Sequence, residues 1–346
     1  MNSSLKIFVL GYGRSGTTMM GRILGNHPDI YMFRELNFFE KLWDRKQEQP
    51  LSIVEASDLA ARLISINRHG YGLLKDHSDY QEKGRKIVDS ITEKTLTPIE
   101  VYEAFLQCTV TENGKRIPCE QTPGYVFYLD EILKLFPEAK IINMIRDPRD
   151  VLVSRKKKWR QYGLRIEPVP LHRTIRTWVH YHPISSSFLW KSAVKAAQPY
   201  VNDGPVYQLK FEDLLSNPEA EIQQVCDFIG ISYLDTLLKI PVVGSSFLKE
   251  KPVETGIDKS RTANWQNGGL NSAELYINQK VTSKIMKTYG YKPAKVFPNP
   301  VLLVFYAVTL PVRIFLTFLI HKKHFKNMKE SIKRRLAQQS FEGPNG

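Results

Sequence analysis

The feature that most constrains the fold is a glycine-rich loop near the start of the chain. The apolar run Ile7–Leu10 is typical of a strand that is buried on both faces, and Gly11–Gly16 (sequence GYGRSG) follows it directly. Thr17–Gly25 then carries apolar residues at helical spacing. A strand, a tight glycine-rich turn and a helix in this order surround an anion with backbone amides and a helix N-terminus. The segment therefore predicts an α/β fold with an anion site at the carboxyl end of a strand.

The loop Gly11–Gly16 fits two known anion-binding patterns. It matches the dinucleotide-binding spacing G-x-G-x-x-G, and Glu35 follows about 20 residues later. It also reads as a P-loop in which Thr17 replaces the lysine and Thr18 follows. Arg14 places a permanent cation inside the loop, and the two threonine hydroxyls can donate to an oxyanion, so the residue types favour the second pattern. The missing lysine argues against magnesium-dependent ATP hydrolysis.

A second segment repeats the strand–loop–helix arrangement. Lys140–Ile145 is an apolar run, and a helix is predicted from about Asp150 to Gln161. Arg146 stands at the carboxyl edge of the strand and Ser154 lies on the helix, so both side chains can reach one phosphate-like group. Strands that alternate with helices predict a parallel sheet with its ligand at the carboxyl ends. A ligand with two phosphate-like groups is therefore expected.

Hydrophobic patterns elsewhere predict further elements of the same fold. They are a strand over Val206–Leu209, a helix from Asn217 to Ile229, an amphipathic helix over Tyr125–Phe136 and one long helix over Leu171–Ala197.

The cysteines and the N-terminal residues indicate a compartment. Cys108, Cys119 and Cys226 are far apart and form no C-x-x-C pair, which disfavours a zinc cluster or a disulfide framework and favours a reducing environment. The run before the glycine-rich loop is too short for a secretory signal. We therefore expect a cytoplasmic protein.

The C-terminal part combines an apolar stretch with positive charge. The chain carries 49 lysines and arginines against 35 acidic residues, a net charge of +14, which favours an anionic partner. Val301–Ile320 is mostly apolar, with Arg313 as its one charged residue and Pro311 near its middle, and seven basic residues against two acidic ones follow it. A bilayer span needs roughly 20 apolar residues, but a span here would oppose the positive-inside tendency. We expect a bent segment, peripheral or re-entrant on the cytoplasmic face, whose basic residues contact anionic lipids. The alternative is a helix that covers the core or a dimer interface.

Taken together, these motifs resemble those of the sulfotransferases that use 3′-phosphoadenosine 5′-phosphosulfate (PAPS). Residues 14–18 (RSGTT) resemble the 5′-phosphosulfate loop, and Arg146 with Ser154 resembles the 3′-phosphate site. Further similar segments are residues 27–29, 34–39, 122–142, 209–215 and 261–265. The resemblance implies a P-loop NTPase-like, three-layer α/β fold with a central parallel sheet over residues 1–295. The apolar stretch and basic tail described above predict that residues 296–346 form a hydrophobic, basic, membrane-associating helical segment after this domain.

The resemblance also implies a role for each matching residue. Glu35 would be the general base that takes the proton from an acceptor hydroxyl, and Arg14 would stabilise negative charge on the transferred and leaving groups. The other implied PAPS-binding residues are Ser15, Gly16, Thr17 and Thr18 for the 5′-phosphate, Arg146 and Ser154 for the 3′-phosphate, and Arg261 and Trp265 in a segment that closes over the cofactor. No metal is implied, and a glycan or lipid-linked acceptor is favoured over a protein tyrosine.

Two residues of the predicted site depart from the family pattern. Gln121 stands where many glycan sulfotransferases have lysine, and Phe211 stands where relatives carry tyrosine.

Other functions stay open. The alternatives to a sulfotransferase are an NAD(P)-dependent or other nucleotide-dependent enzyme and a non-catalytic, membrane-bound relative. Nucleic-acid binding is disfavoured, because the basic residues cluster in the tail without interleaved stacking aromatics.

Overall fold

The computed structural model describes residues 5–45, 49–71, 77–92, 95–161, 171–201, 204–241, 255–320 and 333–334. Within these residues the strands are β1 (Ile7–Gly11), β2 (Ile30–Phe33), β3 (Ile117–Gln121), β4 (Lys140–Ile145) and β5 (Val206–Lys210). They form one five-stranded sheet in the order β2-β3-β1-β4-β5, and every neighbouring pair is parallel.

Helices cover both faces of this sheet. They are α1 (Thr17–Gly25), α2 (Ile53–His69), α3 (Gln81–Asp89), α4 (Pro98–Glu112), α5 (Leu129–Leu135), α6 (Pro148–Gln161), α7 (Leu171–Val179), α8 (Pro183–Ala197), α9 (Phe211–Ser216), α10 (Pro218–Ile229), α11 (Ser272–Thr288) and α12 (Pro300–Ile320). Phe8 and Leu10 of β1 pack into one buried cluster, while Ile7 and Val9 pack into the cluster on the opposite face. This two-sided burial explains the continuous apolar run. The predicted α/β fold with a central parallel sheet is confirmed.

The strand order opens a crevice between β1 and β4. The chain leaves β1 toward the β2 side of the sheet and leaves β4 toward β5, so the two connections diverge at the carboxyl ends. Gly11 pairs with Met144 in this register, and its φ of 137° lies in a region that favours glycine. A side chain on Gly11 would overlap the Met144 carbonyl, so the close approach of the two strand ends requires glycine.

Two of the predicted helices were wrong in extent. The long helix over Leu171–Ala197 is divided into α7 and α8, because Pro183 disfavours a helical residue before it and His182 is extended, with φ −152° and ψ 133°. The amphipathic helix over Tyr125–Phe136 begins as a 3₁₀ turn, Pro123–Tyr128, and becomes α-helical only in α5.

The predicted C-terminal apolar helix is present as α12, and Pro311 lies inside it. Its length and composition would allow it to cross a membrane, and its candidate span is not buried in the protein. One face contacts α7 and α8: Arg313 donates to the Trp178 carbonyl at 3.0 Å, and His182 lies 3.1 Å from the Tyr306 carbonyl. The basic tail after Ile320 lies outside the described residues, apart from residues 333–334.

Candidate active site

The β1–α1 loop is held tightly by its backbone. Gly16 caps α1 with a φ of 99°, and a side chain there would overlap the Phe211 ring. Arg14 has a φ of 82°, a conformation that non-glycine residues rarely adopt and that is common at functional sites. The Ser15 amide, expected to face a ligand, donates to the Tyr12 carbonyl at 3.1 Å, whereas Ser15 Oγ is buried without a partner among the described residues. The hydroxyl, not the amide, is therefore the available donor of Ser15.

Arg146, which directly follows β4, connects the loop that carries Arg14 to the segment that carries Arg261. Its Nη1 donates to the Arg14 carbonyl at 3.3 Å, and its Nη2 donates to the Arg261 carbonyl at 2.6 Å. The guanidinium lies over the Phe211 ring, with Cζ 4.4 Å from the ring centre, and is 3.8 Å from Asp150. Burial lowers the pKa of Arg146 and Asp150 opposes this effect, so the side chain keeps its positive charge. Its Nε is buried without a partner in the described part of the chain.

The two predicted anion sites adjoin each other. Arg14 Nε donates to Ser154 Oγ on α6 at 2.9 Å, so a residue implied for the sulfuryl group contacts one implied for the 3′-phosphate. Between β1 and β4 opens a cleft with an empty volume of about 720 Å³, counted with the solvent at its mouth. Its lining includes Gly16, Thr17, Thr18, Phe211 and Asp258 together with four arginines, Arg14, Arg22, Arg146 and Arg261. A cleft with this lining suits a polyanionic ligand.

Arg22 is a cleft residue that the sequence did not reveal. It lies on α1 beyond the recognisable RSGTT motif, and it enters the site only because the segment around Arg261 approaches α1. Burial lowers the pKa of Arg22, and the positive charge of Arg261 lowers it further. Two cations that repel each other across a cleft are both stabilised by an anion between them. No local sequence signal could have identified this pair.

Glu35 lies just beyond β2 and is joined to the β1–α1 loop by one side chain. Gln121 Nε2 donates to Glu35 Oε1 at 3.3 Å and to Thr17 Oγ1 at 3.2 Å, so the residue in the family's lysine position links the implied base to the implied phosphate loop. Glu35 is not among the residues that line the cleft. Partial desolvation of its carboxylate raises the pKa of Glu35, although the residue as a whole is solvent-exposed. The hydrogen bond from Gln121 and the positive charges of Lys158 and Arg14 lower this pKa and limit the increase.

The segment expected to close over the cofactor is divided between two cavities. Arg261 lines the cleft, whereas Trp265 is absent from the described cleft lining and borders a second cavity with Asp150. The Trp265 amide donates to Asp150 Oδ1 at 2.9 Å, and Arg149 lies over its ring at 3.8 Å from the centre. Trp265 therefore contacts the helix behind Arg146 and not the cleft itself.

The unpartnered donors of the site fit an anionic ligand. Two buried polar atoms, Ser15 Oγ and Arg146 Nε, have no partner among the described residues, and buried polar groups are normally hydrogen-bonded. Over the same described ranges, no group of three or more histidine, cysteine or acidic side chains could hold a metal ion. Fold and site together define a P-loop-like α/β protein with a strongly cationic cleft.

Comparison with known proteins identifies the family. Residues 6–235 match the sequence model of the Sulfotransferase family, so this chain belongs to the sulfotransferases. An uncharacterized protein of Aquifex aeolicus (strain VF5) is 25% identical over 269 residues, which cover 76% of this chain and 31% of that protein. Protein-tyrosine sulfotransferase 1 of Danio rerio is 25% identical over 240 residues, covering 67% of this chain and 55% of that protein. The matches therefore cover less than two thirds of either relative's length.

A solved structure supports the fold. The sulfotransferase domain from the Synechococcus PCC 7002 olefin synthase aligns with a TM-score of 0.53 at 20% sequence identity. The alignment covers 84% of this chain and 96% of that domain.

Proposed function

We propose that this protein transfers a sulfuryl group from PAPS to an acceptor hydroxyl. Family membership supports the reaction class. The observation that supports the proposal most directly is a pair of hydrogen bonds from Gln121. Its side-chain amide donates both to the exposed carboxylate of Glu35 and to the hydroxyl of Thr17. A candidate proton acceptor and a candidate phosphate loop thus share one edge of the sheet.

The proposed chemistry is a single displacement at sulfur. Glu35 accepts the proton of the acceptor hydroxyl while its oxygen bonds to sulfur, and the bond between sulfur and the bridging oxygen of the 5′-phosphate breaks. PAPS supplies the activated sulfuryl group and leaves as adenosine 3′,5′-bisphosphate. Arg14 stabilises the negative charge that develops, Thr17 and Thr18 with the adjoining loop hold the 5′-phosphate, and Arg146 with Ser154 selects the 3′-phosphate.

Transfer from ³⁵S-labelled PAPS to three acceptor fractions (detergent-dispersed glycolipids, soluble oligosaccharides and tyrosine peptides) tests the proposal. Label is expected in one of the first two fractions. Glu35→Gln should reduce turnover by about 10²- to 10⁴-fold, because it removes the proton acceptor, and should leave affinity for adenosine 3′,5′-bisphosphate nearly unchanged. Glu40→Gln, which removes a nearby acidic group, is the matched control and should retain turnover. Undiminished turnover by Glu35→Gln would reject this base, and equal affinity for NAD would favour the nucleotide-dependent alternative.

We further propose that residues 1–295 form the catalytic unit and that residues 296–346 attach it to the cytoplasmic face of a membrane. The outward residues of α12 recur at helical spacing and are apolar: Val301, Val304, Phe305, Val308, Val312, Phe315 and Leu319. The only charged residue of α12, Arg313, faces the protein, where it stacks 3.5 Å from the centre of the Trp178 ring. An uncharged outer face followed by a basic tail suits anionic lipid, and three free cysteines suit the cytoplasm. A lipid-borne or glycan hydroxyl is therefore the acceptor that we favour.

Vesicle flotation tests the membrane proposal. The full chain should float with vesicles of phosphatidylcholine and phosphatidylserine and bind less to phosphatidylcholine alone. Val308→Asp and Phe315→Asp should abolish flotation, because each places a charge on the apolar outer face. Ser283→Asp, an exposed change of the same charge on α11, is the control. If both α12 variants still float, or if they dissociate a lipid-free dimer instead, the proposed membrane face is wrong.

A further inference from the structure

The candidate base is carried by a short irregular segment, residues 34–37. Asn37 ends it in a left-handed conformation, with a φ of 54°, and its side-chain amide donates to the Glu35 carbonyl at 2.9 Å. Leu36 is fully buried on one side of the segment, while Glu35 is exposed on the other. Because the two residues alternate sides, the course of this backbone determines where the Glu35 carboxylate points.

Two buried side chains bind the backbone of this segment. The Leu36 amide donates to Glu120 Oε1 at 3.3 Å, and the Phe38 amide donates to the Tyr125 hydroxyl at 2.7 Å. Tyr125 in turn is hydrogen-bonded to Glu120, so the two acceptors form one connected unit. The amides on both sides of Asn37 are thus attached to the same buried pair.

Glu120 is an unexpected residue for this place in the core. It is 2% exposed and lies near the aromatic cluster around Phe38. It accepts a hydrogen bond from the buried Leu36 amide, in the segment that carries the candidate base. Its other described partners are the hydroxyls of Tyr102, Tyr125 and Thr122, the last at 2.7 Å. Burial raises the pKa of Glu120 to about 7, which reflects the energetic penalty of keeping a carboxylate here. An apolar residue would be less costly for stability alone.

The alternation of side chains along β3 explains why this strand end can act on Glu35 from two sides. Consecutive residues of a strand point to opposite faces. The Gln121 side chain donates to the Glu35 carboxylate, while Glu120 accepts from the backbone amide of the next residue, Leu36. One dipeptide therefore contacts both the side chain and the backbone of the base-bearing segment.

We propose that Glu120 is a positioning residue: with Tyr125 it clamps residues 36–38 and thereby fixes the direction of Glu35. This proposal rests on the proposed function for its kinetic consequence, but the clamp itself is a structural property. Misplacing a catalytic group by about 1 Å can cost about 100-fold in rate.

Hydrogen exchange of the free protein tests the clamp without any substrate. Glu120→Met removes the acceptor at similar side-chain length, and exchange of the Leu36 amide should accelerate by at least about tenfold relative to wild type. Glu120→Gln can keep a carbonyl oxygen on the Leu36 amide and should restore most of the protection. Tyr125→Phe, which keeps the ring and removes the second acceptor, should accelerate exchange at Phe38 and serves if Glu120→Met does not fold.

Turnover with the acceptor fraction that takes up label tests the consequence. Glu120→Met and Tyr125→Phe should lower kcat by about tenfold or more, with little change in KM for PAPS, and Glu120→Gln should retain activity. The matched control is Glu274→Met: Glu274 is equally buried, and accepts from a backbone amide and from the Tyr181 hydroxyl, but lies on α11.

The outcomes separate the two proposals. Equal losses of kcat in Glu120→Met and Glu274→Met at matched stability, or unchanged exchange of the Leu36 amide, would overturn the positioning role. Active Glu35→Gln together with accelerated Leu36 exchange in Glu120→Met would instead reject Glu35 as the base and leave the clamp in place.

Discussion

Replacing Arg146 by methionine should remove the protein's ability to distinguish a 3′-phosphate. The change deletes the donors to the Arg14 and Arg261 carbonyls and a buried Nε that has no partner among the described residues. A charge-assisted hydrogen bond contributes about 1.5–3 kcal/mol. The affinity ratio between adenosine 3′,5′-bisphosphate and adenosine 5′-monophosphate should therefore fall by about 10- to 150-fold.

The same change should also destabilise the fold. Arg146 lies 3.8 Å from Asp150, whose side chain is completely buried, so the variant leaves a carboxylate without its cation. Breaking a buried ion pair by removing one partner typically costs about 3–5 kcal/mol. This range is an upper limit for the destabilisation in Arg146→Met, because 3.8 Å is a long contact and Asp150 keeps its hydrogen bond from the Trp265 amide.

Calorimetric titration of both nucleotides, at a temperature where the variant is folded, measures the ratio directly. The ratio is insensitive to the folded fraction, because both ligands bind the same folded protein. Arg149→Met is the control: Arg149 is also buried but its partners are Asp147 and the Lys292 carbonyl. An unchanged ratio in Arg146→Met, or an equal fall in Arg149→Met, would refute Arg146 as the 3′-phosphate residue.

Three further outcomes are expected. Gly16→Ala should weaken adenosine 3′,5′-bisphosphate binding by about tenfold or more, since its side chain would overlap the Phe211 ring, whereas Gly13→Ala meets no atom within 4 Å and should bind normally; titration of both variants decides this. Turnover should decline as the pH falls through a Glu35 pKa that is above the usual glutamate value, because protonation removes the base; a pH–rate profile with its limb at the usual value would contradict this. The pKa of Glu120, raised from 4.5 to about 7, makes the folded state bind a proton that the unfolded state has released, so the free energy of unfolding should fall as the pH rises from 4.5 through 7. Urea unfolding should show a steeper fall in the wild type than in Glu120→Gln, which keeps the raised carboxyl pKa values of Glu35, Asp150 and Glu212.

The parts of the fold that could be predicted are those with a local signal. The apolar runs of β1 and β4 and the glycine pattern between β1 and α1 identified two strand–loop–helix units and their ligand edge. β2, Ile-Tyr-Met-Phe, is apolar but has only four residues, and β3, Ile-Pro-Cys-Glu-Gln, presents neither an apolar run nor a clear alternation. Their positions depend on pairing with distant strands, which no local pattern encodes.

The residues of the candidate site also fall into those that a local sequence signal identifies and those that it does not. Arg14, Arg146 and Glu35 stand beside recognisable motifs, so the sequence could nominate them. Glu120 meets the Leu36 amide across 84 positions of the chain, and Arg22 meets the Arg261 segment only after folding. Contacts of this kind depend on the closed three-dimensional structure, and a single sequence contains no signal for them.

Polar residues in apolar surroundings indicate where such long-range contacts occur. The groups to which each polar residue is bonded show whether its role is structural or functional. Arg313 interrupts the apolar helix α12, but the Trp178 ring and carbonyl satisfy it within the protein body, so its role is to attach the helix. Glu120 is an ionisable residue of β3 inside the apolar core, and one of its hydrogen bonds comes from a backbone amide of the segment that carries the candidate base. Local departures from the hydrophobic pattern are expected at functional or strained sites. The difference between these two residues therefore argues that Glu120 is kept for the geometry of Glu35, because the core would be more stable without its charge.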